Sequence, residues 1–122
     1  MPKALLVDDS PIVRNAVKAV LEPMGFECVE AEDGLEALAA LQTGEVPRLA
    51  FVDVNMPKMN GIEFVSRVSK EPKYSKMALL MLTTEVNGSL KEDAKKAGVK
   101  VWLLKPIIAE RLKKAVELVL KD

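Results

Sequence analysis

Leu49-Ala-Phe-Val-Asp53-Val-Asn-Met-Pro-Lys-Met-Asn60-Gly61 opens with four apolar residues, reaches an aspartate, and crosses a loop to a helix start. An amphipathic strand would alternate in polarity, so the unbroken apolar run predicts a strand buried on both faces. Asn60 and Glu63 form a capping box, and Ile62, Val65 and Val68 follow at the spacing of one helix face.

The same unit recurs in both directions. Upstream, Ala4–Val7 is an apolar run followed by Asp8 and Asp9, with Ser10 as an N-cap and Pro11 as a first-turn proline. Apolar residues at 12, 13, 16, 17, 20 and 21 predict an inward helix face, which Pro23 and Gly25 end. Phe26–Ala31 is a second strand, and Asp33 with Glu36 boxes a helix using Leu35, Leu38 and Leu41, closed by Gly44 and Pro47. Downstream, Met77–Leu82 is a strand that reaches Thr83. Ser89 and Glu92 box a helix ended by Gly98. Val101–Leu104 is a fifth strand, followed by Lys105. The last helix starts at about Ile107, with Ile108, Leu112, Ala115, Val116 and Val119 inward. Alternating strands and helices, with the strands apolar on both faces, predict an α/β fold: a (βα)₅, doubly wound, five-stranded parallel sheet.

At 122 residues the expectation is a single domain over 1–122. The formal net charge is zero, which argues against a general nucleic-acid binder. The charge is uneven: residues 1–63 hold 5 Lys/Arg and 11 Asp/Glu, and residues 64–122 hold 13 and 7. There is no histidine, which excludes imidazole catalysis and imidazole metal ligands. Cys28 is the only cysteine, so no internal disulfide forms, and a buried inert thiol is expected. The apolar run before Asp8 is too short for a signal peptide, and Met77–Leu82 falls far below the ~20 residues of a membrane span. A cytoplasmic protein without a membrane partner is the expectation.

The unusual polar residues all fall at the C-terminal ends of strands: Asp8 and Asp9, Asp53, Thr83, and Lys105. In open α/β sheets that edge holds the ligand crevice, at the switch in strand order. Singly, such residues are ordinary turn and cap residues; at four strand ends together they describe a site. Three clustered carboxylates repel one another unless compensated. Lys105 supplies one positive charge, and an oxygen-only donor set favours Mg²⁺ for the remainder. A cation and an ammonium beside carboxylates suit phosphoryl transfer, with Thr83 as a hydrogen-bond donor and a carboxylate as nucleophile. The residues alone leave open which carboxylate attacks.

Asp8-Asp9-Ser, Asp53-Val-Asn-Met-Pro-Lys-Met-Asn-Gly61, Thr83 and Lys105-Pro106 together resemble the receiver domain of two-component response regulators, over the whole chain. The resemblance implies a flavodoxin-like sheet of strand order 2-1-3-4-5. It implies Asp53 as the phosphoacceptor, charged by a histidine kinase. Asp9, Asp53 and the Asn55 backbone carbonyl would ligate Mg²⁺, with Asp8 acting through a metal-bound water. Lys105 would contact the phosphoryl group, and the Lys105-Pro106 peptide would be cis. Met56-Pro57 and Gly61 would shape the loop after Asp53. On phosphorylation Thr83 would move inward, followed by the aromatic residue of the fifth strand. That residue is Trp102, where the family usually has Tyr or Phe; its plainer role is a partly buried core residue. Asn55 and Glu85 would flank the water that hydrolyses the acyl phosphate, as in the chemotaxis-type members. Ile107 stands where those members often have Phe.

The output surface implied is the helix from about Ser89, the fifth strand and the last helix, where Lys91, Lys95, Lys96, Lys100, Lys113 and Lys114 lie. The expected function is a signalling switch, not an enzyme with an outside substrate: a chemotaxis regulator that binds a flagellar motor switch protein. The alternatives are a phosphorelay member or another stand-alone regulator, and an aspartate-nucleophile phosphatase. Such phosphatases resemble an Asp-x-Asp pattern after the first strand, where this chain has adjacent Asp8-Asp9. A flavin carrier needs a phosphate loop in place of Asp8-Asp9-Ser10-Pro11.

Overall fold

Each apolar run is a strand whose alternate side chains enter opposite cores. The computed structural model describes residues 1–121. Its strands are β1 (Lys3–Val7), β2 (Glu27–Ala31), β3 (Leu49–Val52), β4 (Ala78–Thr83) and β5 (Val99–Leu104). Its helices are α1 (Pro11–Leu21), α2 (Gly34–Leu41), α3 (Gly61–Ser69), α4 (Gly88–Ala97) and α5 (Ala109–Leu120). The strands form one parallel sheet in the order β2-β1-β3-β4-β5. The (βα)₅ expectation and the strand order implied by the resemblance are both met.

Leu5, Val7, Ala50, Val52, Leu79 and Met81 face the core closed by Ala37 and Leu41 of α2, Phe64, Val65 and Val68 of α3, and Ala94 of α4. Ala4, Leu6, Leu49, Phe51, Leu80 and Leu82 face the core closed by Val17, Val20 and Leu21 of α1, with Leu112, Ala115 and Val116 of α5. β1, β3 and β4 are central and buried on both faces. The edges differ: β2 exposes Glu27 and Glu30, and β5 exposes Lys100, charges that discourage pairing with another sheet.

Several local expectations need correction. Ile12 is 81% exposed, Leu35 49% and Ile108 44%, so none joins the inward face assigned to it. Each sits at or just before the first turn of its helix, and the covering sheet and neighbouring helices do not reach that far. The cap of α4 is Asn87, whose side chain accepts from the backbone N–H groups of Ser89 and Leu90. Ser89 is therefore already helical, and the Ser89/Glu92 box does not form. Pro23 lies within a 3₁₀ turn (Glu22–Met24), and Gly25, at φ 97°, takes the left-handed conformation that ends it. α5 begins at Ala109, two residues later than expected. Cys28 is half-buried rather than buried, and its thiol is raised to about 11, chiefly by burial and then by Glu22. Among the described residues no helix is long and apolar enough to cross a membrane.

Candidate functional site

Register brings the acidic residues together. Val7 of β1 is level with Val52 of β3, so the next residues of both strands, Asp8 and Asp53, emerge side by side. The ladder continues past the strand ends: Asp53 N–H donates to Val7 O at 3.0 Å, and Asp8 N–H to Ala31 O at 3.0 Å. β1 has β2 on one side and β3 on the other, which makes this edge the topological switch point. One carboxylate oxygen from each of Asp8, Asp9 and Asp53 lies within 4.8 Å of the other two. Asp8 and Asp53 are buried at 5% and 7% exposure, while Asp9 is exposed.

Lys105 reaches the cluster from the end of β5. Its backbone N–H donates to Thr83 O at 2.9 Å, extending the β4–β5 pairing, and the peptide to Pro106 is cis. Nζ lies 2.8 Å from Asp8 Oδ2 and donates to Asp53 Oδ2 at 3.1 Å. Burial by itself would lower the Lys105 pKa, but the bonds to Asp8 and Asp53 outweigh it and raise it. Asp8 Oδ2 is buried and has Lys105 Nζ beside it as an ion-pair partner.

Three carboxylates and one ammonium leave two negative charges in a partly buried crevice. One divalent cation offsets them, and the donors are all oxygen, the set a hard cation prefers. The residues therefore fit Mg²⁺.

A second group joins this cluster through Asn55. Asn55 N–H donates to Asp53 Oδ1 at 3.3 Å, and its side-chain Nδ2 donates to Glu85 Oε2 at 3.0 Å. Glu85 N–H donates to the fully buried Thr83 Oγ1 at 3.3 Å, and Glu85 O accepts from Trp102 Nε1 at 3.2 Å. Every candidate of the sequence thus belongs to one connected set: Asp8, Asp9, Asp53, Asn55, Thr83, Glu85, Trp102 and Lys105. Trp102 is half-buried and packs against the core beneath α2, α3 and α4.

Gly61 explains the tight return after β3. A Cβ there would fall 2.8 Å from the Asp53 carbonyl carbon and closer still to its oxygen, so only glycine lets α3 begin beside the acidic strand end. Lys58 in the same loop takes φ 66°, and its ammonium lies 3.8 Å from Asp33 Oδ2. Arg14, on α1, was not singled out by the sequence. It donates to the Asp8 backbone carbonyl at 2.6 Å and to Glu30 Oε1 at 2.9 Å. No local pattern points from Arg14 to Glu30, sixteen residues away on another element.

The profile of the response regulator receiver domain family matches residues 4–117. A chemotaxis protein CheY homolog of Campylobacter jejuni is 41% identical over 119 residues, covering 97% of this chain and 92% of that protein. The chemotaxis protein CheY1 of Helicobacter pylori is 37% identical, covering 97% and 96%. A solved structure of the chemotaxis protein CheY4 of Vibrio cholerae superposes with a TM-score of 0.90 at 42% identity, over 98% of this chain and 99% of that one.

Proposed function

The chain belongs to the response regulator receiver domain family, and from that premise we propose that it is a phosphorylation-activated switch, charged on Asp53 by a histidine kinase. Receiver domains of this type are signalling switches rather than enzymes with an outside substrate. The observation that carries the proposal is the placement of Asp8, Asp9 and Asp53 within 4.8 Å, with Lys105 shared between two of them.

The step is a phosphoryl exchange. An Asp53 carboxylate oxygen bonds to phosphorus as the P–N bond to the donor imidazole breaks, and the electron pair leaves with the imidazole. Lys105 moves from the Asp53 carboxylate to the charge that accumulates on the phosphoryl oxygens. Asp9, Asp53 and the Asn55 carbonyl would hold Mg²⁺, with Asp8 acting through a metal-bound water, and the ion would supply the remaining charge neutralisation. Thr83 turns its hydroxyl from Glu85 N–H toward the new phosphoryl oxygen. That releases the loop carrying Glu85, and with it the carbonyl that anchors Trp102. Asn55 and Glu85, already hydrogen-bonded to each other, would flank the water that hydrolyses the acyl phosphate.

The names of the relatives support chemotaxis as the pathway, and a flagellar motor switch protein is the downstream partner of this reading. A groove of about 520 Å³ between α4 and β5 is lined by Lys91, Lys95 and Lys100 with Val99, Val101 and Trp102. It suits an acidic amphipathic segment. Because Trp102 reaches both this groove and the Glu85 carbonyl, it links the output face to the acidic pocket. We place the protein in the cytoplasm, as a single receiver domain.

Incubation with acetyl phosphate and Mg²⁺ should add one phosphoryl mass, and chelator should abolish the gain. The Asp53→Asn variant should gain nothing at this site. An equal gain by that variant at the same rate would refute Asp53 as acceptor, and steady turnover of generic phosphate esters would favour a phosphatase.

A further inference from the structure

Arg14 grips the acidic loop from behind. Its side chain is only 11% exposed. Nη1 donates to the Asp8 backbone carbonyl at 2.6 Å, and Nε donates to Glu30 Oε1 at 2.9 Å. Glu30 also accepts from Lys18 Nζ at 3.3 Å. Glu30 stands on β2, level with Leu6 of β1. One guanidinium therefore fastens the end of β1, the first turns of α1 and strand β2 together.

The carbonyl that Arg14 holds belongs to the peptide joining Asp8 to Asp9. The Arg14 bond fixes the plane of the peptide before Asp9, the Ser10 N–H bond to Asp8 Oδ1 fixes the one after it, and together they set the direction in which the Asp9 side chain leaves the backbone. Asp8 has other anchors: Oδ1 accepts from Ser10 N–H at 2.9 Å, and Oδ2 faces Lys105. Asp9 is exposed and makes no ion pair among the described residues. Its position depends on the backbone alone. Arg14 also brings positive charge to the loop without occupying an oxygen of the Asp8, Asp9 and Asp53 carboxylates, whereas Lys105 takes one from Asp8 and one from Asp53. The bond to Glu30 stops the guanidinium from swinging onto the carboxylates.

We infer that Arg14 is a positioning residue for the divalent-cation site, holding the Asp8–Asp9 peptide so that the Asp9 carboxylate faces the cation. The inference rests on the switch function proposed above. A lysine at this place would keep the charge but not the planar fork that serves two acceptors at once.

The test is a calorimetric Mg²⁺ titration of the whole protein, beside initial rates of acetyl phosphate phosphorylation over a range of Mg²⁺. Outer partners of metal ligands typically affect affinity by about tenfold or more. The Mg²⁺ dissociation constant of Arg14→Gln should rise about tenfold, and that of Arg14→Lys by about threefold. Half-saturating Mg²⁺ for phosphorylation should rise in step, while the rate at saturating Mg²⁺ stays within about twofold of wild type, since Arg14 does not touch the phosphoryl group. A residue that merely stabilises the fold would lower the melting temperature and leave half-saturation unmoved. Should Arg14→Gln fail to fold, Arg14→Lys decides the matter. Unmoved half-saturation in a folded variant, with wild type active, overturns the role of Arg14 and leaves the switch standing. A wild-type protein that neither binds Mg²⁺ nor takes a phosphoryl group overturns both.

Discussion

Replacing Asp9 by asparagine should make the protein more stable without magnesium and less stable with it. In the metal-free protein Asp9 is repelled by its two neighbouring carboxylates and makes no ion pair or side-chain hydrogen bond among the described residues. It is exposed, and its carboxylate lies within 4.8 Å of those of Asp8 and Asp53. At that separation two unit charges in a water-like dielectric repel by about 0.9 kcal/mol. Two such pairs, screened over a Debye length of about 8 Å, leave about 1 kcal/mol. For a chain of 122 residues, an unfolding entropy of about 2.1 cal/mol/K per residue turns that into a rise of about 4 °C in Tm. Magnesium at about 100 times its dissociation constant adds about 2.7 kcal/mol to wild type, or about 10 °C. The variant lacks one carboxylate and should gain far less. The two proteins therefore exchange rank between chelator and saturating MgCl₂. Differential scanning calorimetry at pH 7 in both buffers reads this directly. A variant that melts below wild type in chelator, or one that keeps the full magnesium shift, would refute the picture of Asp9 as an unpaired carboxylate whose repulsion a cation relieves.

Gly61→Ala should lower stability by about 3 kcal/mol, because the new methyl meets the Asp53 carbonyl, which is backbone and does not yield as a side chain would. Chemical denaturation gives the loss, and a variant within about 1 kcal/mol of wild type would show that the loop moves freely. Glu30 is held below the usual carboxylate range, first by its hydrogen bond from Arg14. A depressed folded pKa contributes stability above the unfolded value of about 4.3 and loses it as pH falls through the folded value. Tm against pH should therefore fall more steeply for wild type than for Glu30→Gln below about pH 5, and parallel curves would contradict the pairing. Trp102 is the only tryptophan, so beryllofluoride with Mg²⁺ should change the intrinsic emission as the Glu85 loop rearranges. An unchanged spectrum at saturation would remove Trp102 from the switch.

The central strands were legible because burial on both faces writes itself as an unbroken apolar run. Leu49–Val52 appears in the structure with the same ends as in the sequence. The acidic site was legible for a related reason: in a parallel sheet every strand's C-terminal end lies at one edge, so Asp8, Asp53, Thr83 and Lys105 had to share it. Helix faces were less legible. Ile12, Leu35 and Ile108 fit the helical period, but periodicity does not say how far along its axis a helix is covered. The start of α4 was misplaced because Asn87 and Ser89 are both good capping residues. Backbone dihedrals, with Asn87 at φ −65° and ψ 119°, choose between them.

From the linear chain alone came the alternation of elements, the oxygen-only donors and the charge deficit that calls for a hard cation. All of these depend on residue type and short spacing. Only the folded molecule decided that Lys105 is shared by Asp8 and Asp53, that Glu85 joins Asn55, Thr83 and Trp102, and that Arg14 braces the acidic loop against Glu30. Those contacts span up to 97 residues of chain between Asp8 and Lys105. They are set by strand register and by how helices seat on the sheet, neither of which leaves a trace in any local window of sequence.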